Sequence, residues 1–520
     1  MNDLTFSPAD LTDIDAHGLS PEIVGDQLRR FRQGVASPEL IAPCTIGNGL
    51  RRLDSAAEKR LIPVYRQAAR DGRFTKFVPA SGAATRMFKD LIVAGQDADE
   101  KALAADTSVA SLMANIRRLA CYEPLVEVMK RDGLDCDALI TAGKPAAVLA
   151  YLLTPKGLGY AGLSKGLIPF HRYRDGAVHY ARSAFAEHLA EAAELFADRS
   201  GSFGIHFTIA RAHETVIKDH IRMAGGDISR QYGLTPRINF SIQSPATDTI
   251  AAAPDNTPFR DRDGRLVFRP GGHGALLDNL EALQKDLVFI KNIDNIALAT
   301  VRRQTAPALA AMCGLLIELQ QRIFDYLRCL TSDKVDKGLV REINDWVSNN
   351  LNRSPAGLSV EPQPAETEEG LVKRLNRPLR VCGVVKNVGE PGGGPFWIRD
   401  GRGEISAQII ESAQVDMGDA RQKEIWMSST HFNPVIIAAA VRDFQGQPFS
   451  LKQFSDLQAG IITQKTKDGQ PLKALEHPGL WNGAMAFWNT VFVELPPETF
   501  TPVKTLFDLL RNGHAAGTVS

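Results

Sequence analysis

Unbroken apolar runs mark buried strands, whereas apolar residues recurring every three or four positions mark amphipathic helices. The run Leu287-Val288-Phe289-Ile290 after Asp286 predicts a buried parallel strand, followed at once by Lys291-Asn292-Ile293-Asp294-Asn295. Residues 74–79 predict a short strand, 80–84 a loop of small residues, and 85–94 a helix. That change of period is the signature of a β–loop–α unit. Further strands are expected over 203–209, 238–242, 381–385 and 491–495, with the α/β pattern resuming over 162–170. Helices are expected over 21–31, 56–69 despite Pro63, 183–196, 213–223 and 300–345, around Phe454, and over 504–510.

The alternation predicts an α/β protein with a mixed, mostly parallel sheet covered by helices. Residues 1–73 read as a helical amino-terminal cap, and 74–348 as an α/β core with a helical insertion at 101–155. The Pro/Ser/Glu-rich stretch 349–369 reads as a linker, leaving 370–520 as a carboxyl-terminal segment. No internal repeat stands out.

Composition narrows the function classes. A 44% hydrophobic content over 520 residues supports a large core. Sixty Lys plus Arg balance sixty Asp plus Glu, giving no general signal for nucleic acid. The six cysteines, at 44, 121, 136, 313, 329 and 382, are dispersed and fit a reducing compartment better than a disulfide framework. Residues 1–10 lack the pattern of a signal peptide, and no apolar run has membrane-spanning length. A cytoplasmic location is therefore expected, with no membrane and no specific protein partner inferred.

Asp294 would emerge at the carboxyl end of a central strand, where open α/β sheets place ligands. A carboxylate there suits a divalent ion held against polyphosphate oxygens; a plain turn is the simpler alternative. Ala80-Ser81-Gly82-Ala83-Ala84-Thr85-Arg86 offers small side chains, backbone N–H groups at a helix start, and a guanidinium for phosphate. It lacks the endings of a Walker A loop and equally suits a packing turn. Lys165, between Ser164 and Gly166, suits phosphate neutralisation or plain solvent exposure. Gly271-Gly272-His273-Gly274 permits close backbone passage beside a planar ligand, such as a nucleobase, or forms an ordinary glycine turn. Lys386, Asn387, His431, Asn433 and Asn482 could select a polyol or tie loops to the core. Lys504, after Phe500-Thr501-Pro502-Val503, stands at a helix start within reach of phosphate or solvent.

In order, these segments resemble UTP:sugar-1-phosphate uridylyltransferases. The family's Leu-x-Gly-Gly-x-Gly-Thr-Arg loop is matched loosely by Ala80 to Arg86, and its Pro-Lys-Gly by Ser164-Lys165-Gly166. Its Gly-His-Gly base loop resembles Gly272-His273-Gly274, its Asn-x-Asp-Asn metal segment resembles Asn292 to Asn295, and its Phe-x-Pro-Val-Lys resembles Phe500 to Lys504. More closely, the whole chain resembles a bacterial family of unknown function, on Gly392 to Trp397, His431 to Pro434 and Trp481-Asn482-Gly483.

The resemblance implies the Rossmann-like fold of nucleotide-diphospho-sugar transferases, with residues 370–520 completing its sugar and phosphate side. It implies Mg²⁺ on Asp294, with an NTP (UTP in that family) and a sugar 1-phosphate as substrates. Arg86, Lys165 and Lys504 would carry catalysis, and residues 80–85 and 271–274 would bind the nucleotide. Ser81 and Ala84 replace glycines of the family loop, and Ser164 its proline. A changed donor, a changed acceptor or loss of catalysis would fit those departures, and glycosyl transfer from a nucleotide-sugar or ligand binding without turnover are the alternative functions.

Overall fold

The four apolar residues Leu287 to Ile290 are fully buried in the strand Leu287–Lys291 of the computed structural model. The structure describes residues 6–35, 37–96, 99–175, 178–332, 335–351, 365–389 and 392–514. The fold is mixed α/β, with a large, mostly parallel sheet and many helices. Among the described residues, no helix is long and apolar enough to cross a membrane.

The described chain divides into two compact units. The first draws on residues within 1–65, 242–289 and 311–495, the second on residues within 66–241, 290–310 and 496–520. Strand Leu287–Lys291 carries the chain from one into the other.

In the first unit, strand Leu379–Lys386 pairs parallel with Asn489–Glu494 and antiparallel with His431–Ala440. Gly49–Arg51 extends the parallel edge beside Asn489–Glu494. Two smaller sheets accompany them. One contains Glu39–Pro43, Gly394–Arg399 and Ile405–Ile410. The other contains Phe268–Pro270, Asp248–Ala252, Gln470–Glu476 and Ile461–Lys467. Helix Pro21–Gln33 lays Val24, Leu28 and Phe31 against Ile250 and Leu475 of that second sheet.

In the second unit, Phe74–Pro79 pairs parallel with Ser202–Ile209, and helix Ala184–Phe196 is buried along almost its whole length. Helices fill the predicted insertion, from Glu100–Ala105 to Pro145–Leu153.

Several expectations change. Where the α/β pattern was expected to resume, over 162–170, two 3₁₀ turns, Tyr160–Gly162 and Lys165–Leu167, precede strand Pro169–Asp175. Gly166 packs its bare backbone on the Phe185 ring, where a Cβ would collide. The helix over 85–94 breaks into the turn Ala84–Arg86 and helix Lys89–Ala94. The helix over 504–510 is a 3₁₀ segment, Leu506–Leu510, opened by a Thr505/Asp508 capping box. Strand His431–Ala440 escaped notice because Pro434 interrupts it. The ladder accommodates that proline through a register shift opposite Gly383 and Val385. Asn433 Oδ1 accepts the N–H of Val435, whose φ is 57°. Of the expected linker, residues 352–364 lie outside the described residues.

Candidate phosphate-binding site

Asp294 follows a strand that ends on a lysine, so its position depends on how the backbone is held after Lys291. In the second unit, Ile293 N–H donates to the Pro79 carbonyl at 3.2 Å, and Asn295 Oδ1 accepts from Thr501 N at 3.0 Å. Val503 N–H in turn donates to the Asp294 carbonyl at 2.9 Å. Two chain segments roughly two hundred residues apart are thereby stitched together.

Their junction is where three of the expected residues meet. Lys165 Nζ donates to Val503 O at 2.8 Å and to Asp294 Oδ2 at 3.3 Å. Lys504 Nζ donates to the same Oδ2 at 2.9 Å. Asp294 and Lys165 side chains are 14% and 10% exposed, whereas Lys504 is 61% exposed. Burial pushes the Asp294 carboxyl up, but Lys504 and then Lys165 outweigh it and hold it below the ordinary value. Burial lowers the Lys165 ammonium pKa despite the pull of Asp294, and Lys504 and Arg86 reinforce that lowering.

The small-residue loop belongs to this constellation. Lys165 N–H donates to Gly82 O at 3.0 Å, and Ala83 bridges to Ser164. Ser81, Gly82, Ala83, Thr85 and Arg86 are exposed, whereas Ala80 and Ala84 are buried. Thr85 Oγ1 donates to Ala161 O at 3.1 Å. The Arg86 guanidinium makes no hydrogen bond among the described residues, leaving its donors open to an anion.

Beneath lies a charged scaffold that sequence reasoning missed. Helix Ala184–Phe196 projects Glu187, His188 and Glu191, all buried. Glu191 accepts from Lys76 at 2.6 Å and from Lys291 at 2.7 Å, and His188 Nε2 bonds Ile293 O at 3.2 Å. Those contacts fix the backbone on either side of Asn292. Glu187 bonds His171 Nδ1 at 2.8 Å, and the His171 ring passes to His514 at 2.8 Å. His514 Nε2 then donates to Thr501 O at 3.0 Å, anchoring the segment that carries Val503 and Lys504. The one hint in the sequence was acidic residues spaced three and four apart in an otherwise apolar helix.

This scaffold makes acid stability predictable. Burial pushes the Glu187 carboxyl up, but Arg302 and His171 prevail and hold it at about 2. A depressed native pKa gives stability that is complete above the ordinary glutamate value, ~4.3, and is lost as pH falls toward 2. The melting temperature should therefore hold above pH ~5 and drop between pH ~4 and ~2. Glu187→Gln should flatten that drop. A melting temperature level down to pH ~2.5 in the unaltered protein would contradict the assignment.

Among the described residues, no group of three His, Cys, Asp or Glu is placed to hold a metal. Asp294 alone is nevertheless compatible with Mg²⁺, which commonly takes one or two carboxylates with substrate oxygens and water. Its Oδ1 makes no hydrogen bond among the described residues, while Oδ2 takes both ammoniums.

The expected nucleobase and sugar residues lie in the first unit. His273 stacks on Trp481, with ring centroids 4.1 Å apart and planes 10° from parallel, and its Nδ1 accepts from Leu480 N. Burial lowers its pKa, with Glu411 and Glu476 opposing. The loop glycines are consumed by packing. A Cβ on Gly271 would strike His477 and Thr247 O, one on Gly274 would strike Pro478 O, and Gly272 has φ 75°. Asn433 spends its amide on Gly383 O and Val435 N. His431 bonds Thr430 Oγ1 at 2.8 Å and lies 3.4 Å from Glu494. Asn387 and His431 line a cavity of about 310 Å³, with Lys386 exposed at the strand end beside Asn387. Asn482 Nδ2 donates to Gln414 at 3.0 Å, and the residue lines a larger cavity.

A family model described as "Domain of unknown function (DUF4301)" matches residues 7–515. No curated protein matches the sequence. Among solved structures, the chain is similar to a UDP-N-acetylglucosamine pyrophosphorylase from Trypanosoma brucei in complex with an inhibitor. Identity is 14%, coverage 97% of this chain and 79% of that one, and the TM-score 0.49. It is also similar to a mutant UDP-glucose pyrophosphorylase from Leishmania major in complex with UDP-glucose. There the identity is 12%, coverage again 97% and 79%, and the TM-score 0.38.

Proposed function

We propose that this chain, which belongs to the family Domain of unknown function (DUF4301), is a sugar-1-phosphate nucleotidyltransferase. The observation that carries this reading is the meeting of Lys165, Lys504 and Asp294 beside an exposed small-residue loop with a free Arg86. Such a set neutralises adjacent phosphates and leaves one carboxylate edge for a divalent ion.

In the proposed reaction, a sugar 1-phosphate oxygen attacks the α-phosphorus of an NTP, with UTP the first candidate. The new P–O bond forms as the bond from the α-phosphorus to the bridging oxygen breaks, and pyrophosphate leaves with the electron pair. The attacking oxygen is already anionic, so no side chain has to remove a proton. Lys165 would turn from Asp294 to a phosphate oxygen while its bond to Val503 O keeps the ammonium near the site. Lys504, on an exposed side chain, would follow the leaving pyrophosphate, and Arg86 would hold outer oxygens through paired N–H donors. Asp294 would hold Mg²⁺, which, when bound, supplies Lewis-acid neutralisation of the phosphates.

The test is incubation with a panel of NTPs and sugar 1-phosphates, with and without Mg²⁺, scored for pyrophosphate and nucleotide-sugar. Magnesium-dependent release of both in equal amounts is expected. Release of a nucleoside diphosphate from a nucleotide-sugar donor would instead indicate glycosyl transfer. No product from any pair would refute the enzymatic reading.

A further inference from the structure

Arg380 in the first unit is fully buried, yet no carboxylate among the described residues pairs with it. Its guanidinium donates to three neutral acceptors: Thr490 Oγ1 at 2.9 Å, Trp481 O at 2.6 Å and Gln408 Oε1 at 2.8 Å. A buried cation without a counter-ion is costly, and arginine does not escape the cost by losing its proton.

Two of those acceptors, Gln408 and Thr490, line a cavity of about 500 Å³. That volume lies inside the range of about 300–1,000 Å³ typical of small-molecule sites. Arg377, half-buried, lines it too. Its Nε donates to Lys373 O at 3.1 Å, and its two terminal nitrogens make no hydrogen bond among the described residues.

The lining carries three carboxylates, Asp400, Glu404 and Asp456, together with three guanidiniums, Arg374, Arg377 and Arg402. Asp400 accepts the N–H groups of Arg402 and Glu404, Asp456 accepts that of Gln458, and Glu404 pairs with Arg374. Two further polar atoms want partners. Trp488 Nε1 and Asn482 Oδ1 are buried without a hydrogen bond among the described residues, and both residues line the cavity. Much of the remaining wall is apolar, from Ile405, Ala407 and Ile409 of strand Ile405–Ile410.

We propose that this cavity binds a small organic anion, a carboxylate or phosphate carried on an apolar body. The anion meets the unpaired fork of Arg377 in the field of Arg380. The apolar body lies along strand Ile405–Ile410. All these residues belong to the first unit, whereas Lys165, Lys504 and Asp294 belong to the second. The assignment therefore stands whether or not the nucleotidyltransferase reading does.

The test is fluorescence titration of the full-length protein with 8-anilinonaphthalene-1-sulfonate, read by energy transfer from tryptophan. Saturable one-to-one binding is expected. The uncharged analogue N-phenyl-1-naphthylamine should bind about tenfold more weakly, and Arg377→Gln should weaken the sulfonate about tenfold. Ala486→Trp, which fills the cavity from its lining, should abolish binding at an unchanged melting temperature. Displacement of the dye by inorganic phosphate or by butyrate then identifies the preferred head group. Equal binding of the uncharged analogue, wild-type affinity in Arg377→Gln, or displacement by neither anion would overturn the proposal. Arg377 is half-buried on the lining, so that variant remains decisive if Ala486→Trp fails to fold.

Discussion

Replacing Lys165 with methionine is expected to lower kcat/KM for pyrophosphate-releasing transfer by about 10²–10³-fold. The ammonium is mostly shielded from water and sits 3.3 Å from Asp294, so little solvent screens its action on a phosphate oxygen. Methionine keeps the length of the apolar stem and Asp294 retains Lys504 as a partner, while Val503 O loses its donor, so only a modest fall in melting temperature is expected. Lys504→Met should cost only about tenfold, because that side chain is 61% exposed and its charge is screened. Steady-state kinetics with the best nucleotide and sugar phosphate would check both. A Lys165→Met enzyme within about threefold of wild type would remove lysine from the proposed role.

Replacing Glu191 with alanine should destabilise the protein by about 3–5 kcal/mol. The carboxylate is the shared partner of Lys76 and Lys291, whose side chains are 0% and 4% exposed. Its loss strands two ammoniums in a dry interior. Burial, only partly opposed by Glu191, already lowers the Lys76 pKa to about 8. Without the carboxylate the neutral amine becomes easier still to reach. The deficit should therefore shrink as pH rises from ~7 to ~9, because the variant then buries less charge. Urea denaturation at both pH values measures this. A loss below about 1 kcal/mol at pH ~7 would mean that the lysines find other partners.

Each compact unit gathers separate stretches of chain, which no local composition shift announces. Gly271 and Gly274 were readable as residues that needed to be glycine, but not why. Their backbones press against residues 477–478 and Thr247, so the space a ligand was expected to need is used by the protein itself. Asn433 was legible as a polar residue of interest, and the fold spends its amide on a strand bulge. Arg380 was invisible, since an arginine in an apolar run carries no mark of what surrounds it.

The sequence by itself determined the mixed α/β class, the burial of Leu287 to Ile290, and the loop between strand Phe74–Pro79 and the turns after it. Those features follow from residue periodicity over less than a dozen positions, which acts through local backbone geometry. Only the tertiary structure decided that Lys165 and Lys504 share one oxygen of Asp294, and that Glu191 pairs with two lysines from strands far apart in the chain. Opposite charges far apart in a chain have many possible partners. Which of them meet is fixed when the apolar elements pack and exclude water, and the pattern along the chain does not encode that closure.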